Sequence, residues 1–315
     1  MTSQITNTLF MVRPISFRKN EETAANNYFQ QDEDKTSPDE IQKRALAEFD
    51  LFVEKLREKG VEVYVFEDQE SDKTPDSIFP NNWISFHDDG TILTYPMFAE
   101  NRRLERREDV IKKLQETFLV NMVQSFAHWE NKGKYLEGTG SMILDRPNKV
   151  TYASISDRTN EDVLRIFCEK TGYESVTFTS YQTVGDKRLP IYHTNVMMAL
   201  GEDYTIVCLD CIDNEVERER LIFALQKTGK EIIEISEDQM HQFAGNMLQV
   251  MNDRNERFTV MSLAAYDSLR PKQIEALEKY GEIIYSPIPT IEKLGGGSVR
   301  CMMAEVFLPK QLISE

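Results

Sequence analysis

The chain has 315 residues, of which 40% are apolar, and this is enough to form a sizeable core in either two average domains or one large α/β domain. Its formal charge of −16, without Lys and Arg interleaved among aromatic residues, argues against a nucleic-acid partner. Neither a run of about 18 apolar residues nor a signal-peptide pattern is present, so we expect a cytoplasmic protein that does not bind membranes.

The first clear element is a helix predicted from Ser37 to Lys59. Ser37 is a suitable N-cap residue, and Pro38 suits the first helical position. Glu40 could complete a capping box with Ser37, and Gly60 is expected to end the helix. Apolar residues at helical spacing predict one buried stripe, formed by Ile41, Ala45, Leu46, Phe49, Val53 and Leu56. A strand is predicted next, from Val61 to Phe66.

Further helices are predicted at about 100–118, 159–171, 213–228 and 271–280. Between the helices, a polar or glycine-containing start leads into an apolar strand, a turn and a second strand. This unit occurs at Phe79 to Thr94, Tyr135 to Ala153, Tyr192 to Leu209, Phe243 to Ser262 and Ser298 to Leu308. Recurrence at roughly 50 to 60 residues predicts a circular array of modules that bury their faces against one another.

A doubly wound sheet is the competing architecture, although the sequence lacks the glycine-rich nucleotide loops typical of it. No segment reads as an interdomain linker, so we expect one domain over residues 1–315. The polar stretch from Asn20 to Lys35 is the segment predicted to be flexible.

Four cysteines, at positions 168, 208, 211 and 301, are too few for a disulfide scaffold and suit a reducing compartment. The spacing of Cys208 and Cys211 is typical of zinc and redox sites, but no second ligand pair lies nearby in sequence. We interpret Cys208 as a small buried residue at the end of an apolar strand, and we expect no metal.

Residues able to do chemistry occur at the starts of the modules. Glu137 precedes a Gly-Thr-Gly segment, His193 precedes Thr194 and Asn195, and Cys301 follows three glycines at 295–297. The matching ends of modules in a circular array converge on its axis. The sequence therefore predicts that a carboxylate, an imidazole and a thiol share one pocket.

These motifs resemble those of the arginine deiminases, dimethylarginine hydrolases and amidinotransferases. The resemblance rests on Asn82 after an aromatic residue, the Glu137-Gly-Thr and His193-Thr-Asn motifs, and the glycine-rich segment before Cys301, and it extends from Met11 to Cys301. It implies the pentein fold, an α/β propeller of five modules with pseudo-fivefold symmetry. The sequence looks closest to the citrulline-utilization hydrolases.

The resemblance assigns nucleophilic attack to Cys301, proton transfer to His193 and orientation of the imidazole to Glu137. A thiol is nucleophilic as the thiolate, and an imidazolium partner would lower its pKa. No metal or organic cofactor is implied. The structural alternatives are a buried core cysteine, a satisfied histidine and a carboxylate that bridges a strand edge.

Two positions depart from the arginine-processing pattern, which places carboxylates where this chain has Asn82 and Asn195. Amides suit a neutral ureido group with a carbonyl oxygen, whereas carboxylates suit a guanidinium. The resembling succinylarginine dihydrolases accept a guanidinium with Asn in the first position, so Asn195 is the more informative departure.

A free amino acid also presents a carboxylate, and arginine side chains suit planar bidentate contacts with it. Arg102 and Arg103, followed by Glu105, are the first candidates, with Arg13 and Arg300 behind them; salt bridges at a helix start are the alternative. The segment from Gly185 to Pro190 has the composition of a mobile lid.

The leading functional prediction is hydrolysis of citrulline to ornithine, ammonia and carbon dioxide. Deimination or dihydrolysis of arginine or a derivative, and amidino transfer to an amine, remain alternatives. A non-enzymatic role, as in the pentein-fold ribosome anti-association factor, is disfavoured because that factor lacks the residues corresponding to Cys301, His193 and Glu137. We expect a small-molecule partner, citrulline or arginine-like. A homo-oligomer is compatible with the sequence, which leaves the oligomeric state open.

Overall fold

The computed structural model describes residues 2–32, 36–69 and 73–311. Strands alternate with helices along this part of the chain. The strands are β1 Thr8–Arg13, β2 Glu62–Glu67, β3 Ile84–Phe86, β4 Thr91–Thr94, β5 Met122–Ser125, β6 Ile143–Asp145, β7 Val150–Ser154, β8 Glu174–Phe178, β9 Tyr181–Val184, β10 Lys187–Pro190, β11 Met198–Leu200, β12 Tyr204–Val207, β13 Glu231–Glu234, β14 Leu248–Met251, β15 Arg257–Ser262, β16 Glu282–Ser286 and β17 Ala304–Glu305.

The helices fall into long outer elements and short ones at the starts of strand pairs. They are α1 Pro38–Glu58, α2 Glu108–Leu114, α3 Gly138–Ser141, α4 Glu161–Thr171, α5 Thr194–Met197, α6 Glu215–Lys227, α7 Glu237–His241, α8 Leu263–Ser268, α9 Pro271–Glu278, α10 Pro289–Gly295 and α11 Val299–Met302. Short 3₁₀ helices cover Pro80–Asn82, Asn101–Glu105, Ala127–Lys132 and Leu209–Cys211. None of the helices in the described ranges has the length and apolar composition that a bilayer span requires.

One pairing pattern recurs in five three-stranded sheets of the described chain, ordered β17-β1-β2, β3-β4-β5, β6-β7-β8, β11-β12-β13 and β14-β15-β16. In each, a short strand pairs antiparallel with the middle strand, and the middle strand pairs parallel with the third. A helix connects each parallel pair, as such a crossover requires. This is an α/β architecture, and β9 and β10 add a separate hairpin.

Helix α1 shows why the sequence pattern was informative. Ser37 accepts a hydrogen bond from the backbone N–H of Glu40 at 3.3 Å, Pro38 opens the helix, and Gly60 lies beyond its end with a φ of +80°. The Glu40 side chain pairs with Arg44 at 3.0 Å, so the predicted capping box does not form. Its buried residues are Ile41, Ala45, Phe49, Phe52, Val53 and Leu56, whereas Leu46 is half-buried.

Aromatic side chains connect neighbouring sheets. Phe10 of β1 packs edge-on against Trp83 and Phe86 at the start of the next sheet, with ring centroids 6.2 and 5.9 Å apart. Tyr204 of β12 stacks on Tyr280, which precedes β16, at 4.9 Å. These contacts bury the faces that a single three-stranded unit would expose. The sheets therefore hold one another's starting segments in place.

Candidate active site

The residues that sequence analysis grouped together lie at the starts of successive sheets. Asn82 ends a 3₁₀ helix before β3, Glu137 precedes α3 and β6, and His193 precedes α5 and β11. Asn195 lies within α5, and Cys301 lies within α11 before β17. Each side chain is thus placed by a short helical turn that leads into a buried strand.

Asn82, His193 and Cys301 line one cavity, and Glu137 lies behind His193. The void has a volume of about 10 Å³, which is room for about one water molecule. Its complete lining is Asn27, Asp76, Phe79, Asn82, Arg102, Arg158, Tyr192, His193, Gly295, Gly296, Gly297 and Cys301. An amino-acid substrate does not fit this conformation, so substrate binding requires part of the wall to move.

Glu137 and His193 form the central hydrogen-bonded pair. Oε2 of Glu137 lies 2.7 Å from Nε2 of His193, and its Oε1 accepts from the backbone N–H of Phe98 at 2.9 Å. Burial by itself would raise the pKa of Glu137. The Arg158 guanidinium, 3.7 Å away, and the hydrogen bond to His193 outweigh burial and lower that pKa to about 2. Glu137 is therefore an ionised hydrogen-bond acceptor.

His193 is neutral in this environment. Burial lowers its pKa to about 4; Glu137 opposes the shift, while Arg158 and Arg102 add to it. Because ionised Glu137 can only accept, Nε2 of His193 carries the proton and Nδ1 keeps its lone pair. Desolvation therefore outweighs the single carboxylate and disfavours a resting imidazolium beside the thiol.

Gly140 makes room for the acceptor edge of His193. An added Cβ at this position would lie 2.9 Å from Nδ1 of His193 and 2.4 Å from Nδ2 of Asn82. Glycine is thus required by close approach, and not by an unusual backbone conformation.

The Cys301 thiol is buried, with 3% of the residue exposed, and amide groups contact its sulfur. Nδ2 of Asn195 lies 3.4 Å from Sγ, and Nδ2 of Asn246 lies 3.3 Å from it. Asn246 was not among the predicted site residues. It precedes β14 at the start of the fourth sheet-forming segment, and this position, matching those of Asn82 and Asn195, is the signal that could have identified it.

Arg102 fixes the orientation of Asn82. Its Nε and Nη2 both lie 2.9 Å from the carboxylate of Glu105, and its Nη1 donates to Oδ1 of Asn82 at 2.8 Å. Nδ2 of Asn82 is buried and has no hydrogen-bond partner within the described ranges. Asn82 therefore offers an unused donor near Gly140 and His193, while Arg102 is largely committed to Glu105.

Asp76 and Arg158 are charged residues of the cavity wall that sequence analysis did not single out. Oδ2 of Asp76 accepts from Asn20 and Thr23 at 2.8 and 3.1 Å, whereas its Oδ1 lacks a partner in the described part of the chain. Arg158 donates to Asn26 and to the carbonyl of Thr23, and its guanidinium lies over the Tyr192 ring at 4.8 Å. Neither residue stands in a motif that singles it out.

The N-terminal segment covers the cavity. Asn27 donates to the carbonyls of Gly295 and Gly296 at 3.4 and 3.2 Å, and Gln30 donates to that of Gly295 at 3.2 Å. The hydroxyl of Tyr192, which also lines the cavity, donates to the Gly296 carbonyl at 2.5 Å. Within the predicted flexible stretch of residues 20–35, residues 20–32 are described and these contacts hold them in place; residues 33–35 lie outside the described ranges.

Three of the arginines proposed for substrate binding lie away from the cavity. Arg13 is paired with Asp50 at 2.8 Å, and Arg103 donates to the carbonyl oxygens of residues 97 and 98. The Arg300 side chain does not line the cavity that Cys301 lines. It donates to the Met303 carbonyl at 2.9 Å and to the Glu305 carboxylate at 2.7 Å. Adjacency in sequence did not indicate the direction in which these side chains point.

The segment predicted as a lid, residues 185–190, lies in the β9–β10 hairpin. Arg188 holds this hairpin to Asp213 and Glu237 through ion pairs at 2.5 and 2.7 Å. Cys208 and Cys211 are buried and free, and the described residues contain no group of three or more His, Cys, Asp or Glu arranged to hold a metal.

Comparisons with known proteins identify the family of this chain. The sequence profile of the family described as eukaryotic N,N dimethylarginine dimethylhydrolase matches residues 13–308. The chain belongs to this family. Its members are guanidine-modifying enzymes, and the family description names a hydrolase of an arginine derivative. No curated protein sequence matches the chain significantly.

Solved structures of other family-like enzymes share the fold. ArgZ, an arginine dihydrolase from the ornithine–ammonia cycle in cyanobacteria, is 15% identical with a TM-score of 0.72, over 96% of this chain and 41% of that chain. Its substrate-bound N-terminal domain is also 15% identical, with a TM-score of 0.72, over 96% of this chain and 98% of that domain. This chain thus spans less than half of full-length ArgZ.

A dimethylarginine dimethylaminohydrolase variant, solved as an adduct with S-methyl-L-thiocitrulline, is 16% identical with a TM-score of 0.63. The alignment covers 97% of this chain and 100% of that one. At these identities the likeness establishes a shared α/β fold of the pentein type.

Proposed function

We propose that this protein hydrolyses the terminal carbon–nitrogen bonds of a ureido or guanidino amino acid, with citrulline as the leading substrate. The observation that carries the proposal is the cavity that Cys301 and His193 both line, with ionised Glu137 hydrogen-bonded to the imidazole at Nε2. A nucleophile, a base and an orienting carboxylate are the components of covalent hydrolysis.

In the proposed reaction, the sulfur of Cys301 attacks the ureido carbon while neutral His193 takes the thiol proton. His193 then gives that proton to the departing nitrogen, the carbon–nitrogen bond breaks, and ammonia leaves a carbamoyl thioester on Cys301. Water, deprotonated by His193, attacks this carbon and the carbon–sulfur bond breaks. The thiol regains its proton, and the resulting carbamate separates into ornithine and carbon dioxide. Glu137 orients His193 and stabilises its transient positive charge.

The amides favour a neutral end group. Asn82 presents an unpaired N–H donor toward the cavity because Arg102 occupies its oxygen. A ureido oxygen can accept from such a donor, whereas a guanidinium offers only donors. Glu137, the carboxylate nearest to His193, is already engaged. Arg102 and Arg158, the two arginines of the wall, further disfavour a cationic group beside Asn82.

The wall of the same cavity also carries charges that match a free amino acid. Asp76 has an unpaired carboxylate oxygen for an α-ammonium group, and Arg158 and Arg102 supply positive charge for an α-carboxylate. Arg158 is the better carboxylate ligand of the two in this proposal, since Arg102 already forms a bidentate pair with Glu105. Arg13, Arg103 and Arg300 take no part in it.

Dihydrolysis of arginine is the second candidate. The family description names an arginine derivative, and ArgZ is described as an arginine dihydrolase. In this reaction the same cycle would run twice, first releasing ammonia from the guanidinium to form a ureido group and then repeating the proposed citrulline chemistry. Asp76 is the carboxylate that could face a cationic substrate. Amidino transfer differs only in replacing water by an amine.

Product stoichiometry distinguishes these reactions. Purified protein would be incubated separately with citrulline, arginine and dimethylarginine, and ammonia, ornithine and citrulline would be measured. Citrulline hydrolysis gives one ammonia per ornithine, and arginine dihydrolysis gives two. Cys301→Ser is expected to abolish turnover with the fold retained. Turnover by Cys301→Ser above about a tenth of the wild-type rate would reject the covalent mechanism. Absence of ornithine from all three substrates, together with absence of citrulline from arginine and dimethylarginine, would reject the proposed function.

The remaining structural proposals follow the same resemblance. We propose that the five sheets form a five-bladed pentein propeller with pseudo-fivefold symmetry and that residues 1–315 form one domain. The repeated pairing pattern and the meeting of the module starts at one cavity support this arrangement. The cytoplasm is the compartment we propose, because all four thiols are unpaired.

A further inference from the structure

We propose that Asn246 is a positioning residue that holds the thiolate form of Cys301 through its side-chain N–H. The inference rests on the proposed function, since it requires Cys301 to act as the nucleophile. No motif assigns a role to Asn246, and its side chain reaches the sulfur from the one module that contributes none of the residues assigned above.

The contacts of Asn246 leave its amide only one orientation. Its Oδ1 accepts from the backbone N–H of Arg300 at 3.0 Å, and its Nδ2 donates to the backbone carbonyl of Asn195 at 2.9 Å. Reversing the amide would place oxygen against a carbonyl and N–H₂ against an N–H. The same Nδ2 therefore necessarily presents its second hydrogen toward Sγ of Cys301, 3.3 Å away.

Asn195 differs from Asn246 in this respect. Its Nδ2 also lies 3.4 Å from the sulfur, but its Oδ1 has no partner in the described part of the chain. The Asn195 amide oxygen therefore has no hydrogen bond from the described residues that fixes its orientation. Asn246 is the donor that is fixed before substrate arrives, and it is 1% exposed.

A fixed donor matters because hydrogen bonds to an ionised acceptor are stronger than those to a neutral one. A thiolate gains more from the Asn246 N–H than a thiol does, so the contact favours ionisation. The charged or titratable groups that face the same cavity are His193, Arg102, Arg158, Asp76 and Tyr192. With His193 uncharged at rest, the amide supplies stabilisation that the imidazole does not.

The test is the titration of the Cys301 thiol, followed by thiolate absorbance in the ultraviolet as the difference between each protein and its Cys301→Ser counterpart. Asn246→Ala is expected to raise the midpoint by about one to two pH units. Asn246→Asp keeps an acceptor for the Arg300 N–H but removes the donor and adds negative charge, so its midpoint is expected to rise further. An unchanged midpoint in either folded variant overturns the proposal.

Asn252→Ala is the matched control, because Asn252 is also 1% exposed and its Nδ2 donates to the Lys59 carbonyl at 2.8 Å, outside the cavity. It is expected to leave the midpoint unchanged. A measurement on the wild-type protein covers the case in which the Asn246 variants do not fold. The side-chain amide signals of Asn246 in nuclear magnetic resonance should change with pH at the same midpoint as the Cys301 thiol. Signals that do not shift overturn the proposal.

The outcomes separate this inference from the proposed function. One outcome is that the wild-type protein turns over citrulline or arginine while its Asn246 variants keep the wild-type midpoint of the Cys301 titration. That result removes only the proposed role of Asn246. Failure of the wild-type protein to form ornithine from any of the three substrates, or citrulline from arginine or dimethylarginine, removes the proposed function, whatever the thiol titration gives.

Discussion

Nε2 of His193 and Oε2 of Glu137 lie 2.7 Å apart, and the two side chains are only 2% and 0% exposed. This buried pair determines which nitrogen of the imidazole remains available. Since the carboxylate cannot donate, the Nδ1 lone pair is directed to the side that Gly140 leaves open.

Glu137→Gln is expected to lower kcat/KM by at least about a hundredfold, because the amide can donate to Nε2 and no longer stabilises an imidazolium. Steady-state kinetics would measure the loss, and circular dichroism would check the fold. Glu130→Gln is the matched control. Glu130 accepts from the backbone N–H of Met97 and pairs with Arg106, outside the cavity, so turnover should be retained. Equal losses in both variants would contradict the role of Glu137.

The depressed pKa of His193 predicts a specific pH dependence of stability. The folded protein holds this group neutral down to about pH 4, whereas the unfolded chain protonates it below about pH 6.5. Its contribution is therefore complete above pH 6.5 and is lost as the pH falls to about 4, amounting to about 3 kcal/mol. Denaturant unfolding across this window should show a flatter pH dependence for His193→Gln than for wild type. Identical slopes would contradict the burial argument.

Asn82→Asp is expected to move the kcat/KM ratio of citrulline to arginine toward arginine by at least about tenfold. A carboxylate about 4 Å from a guanidinium gains about 4 kcal/mol at an effective dielectric near 20, but Arg102 competes for it. Asn195 is left unchanged because a carboxylate there would also act on the Cys301 sulfur. Asn81→Asp, at a buried neighbour outside the cavity lining, controls for an added buried charge. A shift toward citrulline would refute charge matching.

Opening of the cavity can be measured without turnover. Asn27→Ala combined with Gln30→Ala removes three hydrogen-bond contacts to the carbonyls of Gly295 and Gly296. We expect alkylation of Cys301 by iodoacetamide to become about tenfold faster, since each contact contributes about 0.5 to 1.5 kcal/mol. Asn148→Ala removes a hydrogen bond to Asp145 away from the cavity and should leave the rate unchanged. An unchanged rate in the double variant would show that access follows another route.

Gly140→Ala tests the space beside the imidazole. The added Cβ would displace His193 or Asn82, so kcat should fall by at least about a hundredfold, as a small misplacement of reacting groups can cause. Gly133→Ala is the control: it places a Cβ in open space at a φ of +63°, which should reduce thermal stability slightly and leave kcat intact. An unchanged kcat in Gly140→Ala would mean that His193 and Asn82 adjust to the added Cβ without loss of activity.

Regular periodicity made much of the fold predictable. Helix α1 begins within one residue of its predicted start, and the predicted repeat corresponds to the five matching sheets of the described chain. The helix expected over 100–118 instead divides into a 3₁₀ helix and α2, and the 3₁₀ helix turns Arg102 inward toward Glu105. A buried ion pair such as Arg102–Glu105 cannot be predicted from the spacing of hydrophobic residues.

The site was predictable where residues stand in motifs and unpredictable where tertiary contacts alone select them. Glu137, His193, Asn195 and Cys301 lie around one cavity, and their chemical roles remain predictions. Asp76, Arg158 and Asn27 reach the cavity from a turn, a loop and the N-terminal segment, none of which has a distinctive local pattern. Arg300 was a predicted site residue next to Cys301, but Cys301 lines the cavity whereas the Arg300 side chain pairs with Glu305.

The pairing of β17 with β1 has a consequence for biosynthesis. Ala304 and Glu305 pair with Phe10 and Leu9, and Cys301 lies just before them on α11. The chain must therefore be synthesised from β1 through α11 and β17 before the first sheet can be completed. Contacts between such distant parts of a chain form slowly. A nascent chain is therefore expected to complete the surroundings of Cys301 only when β17 pairs with β1.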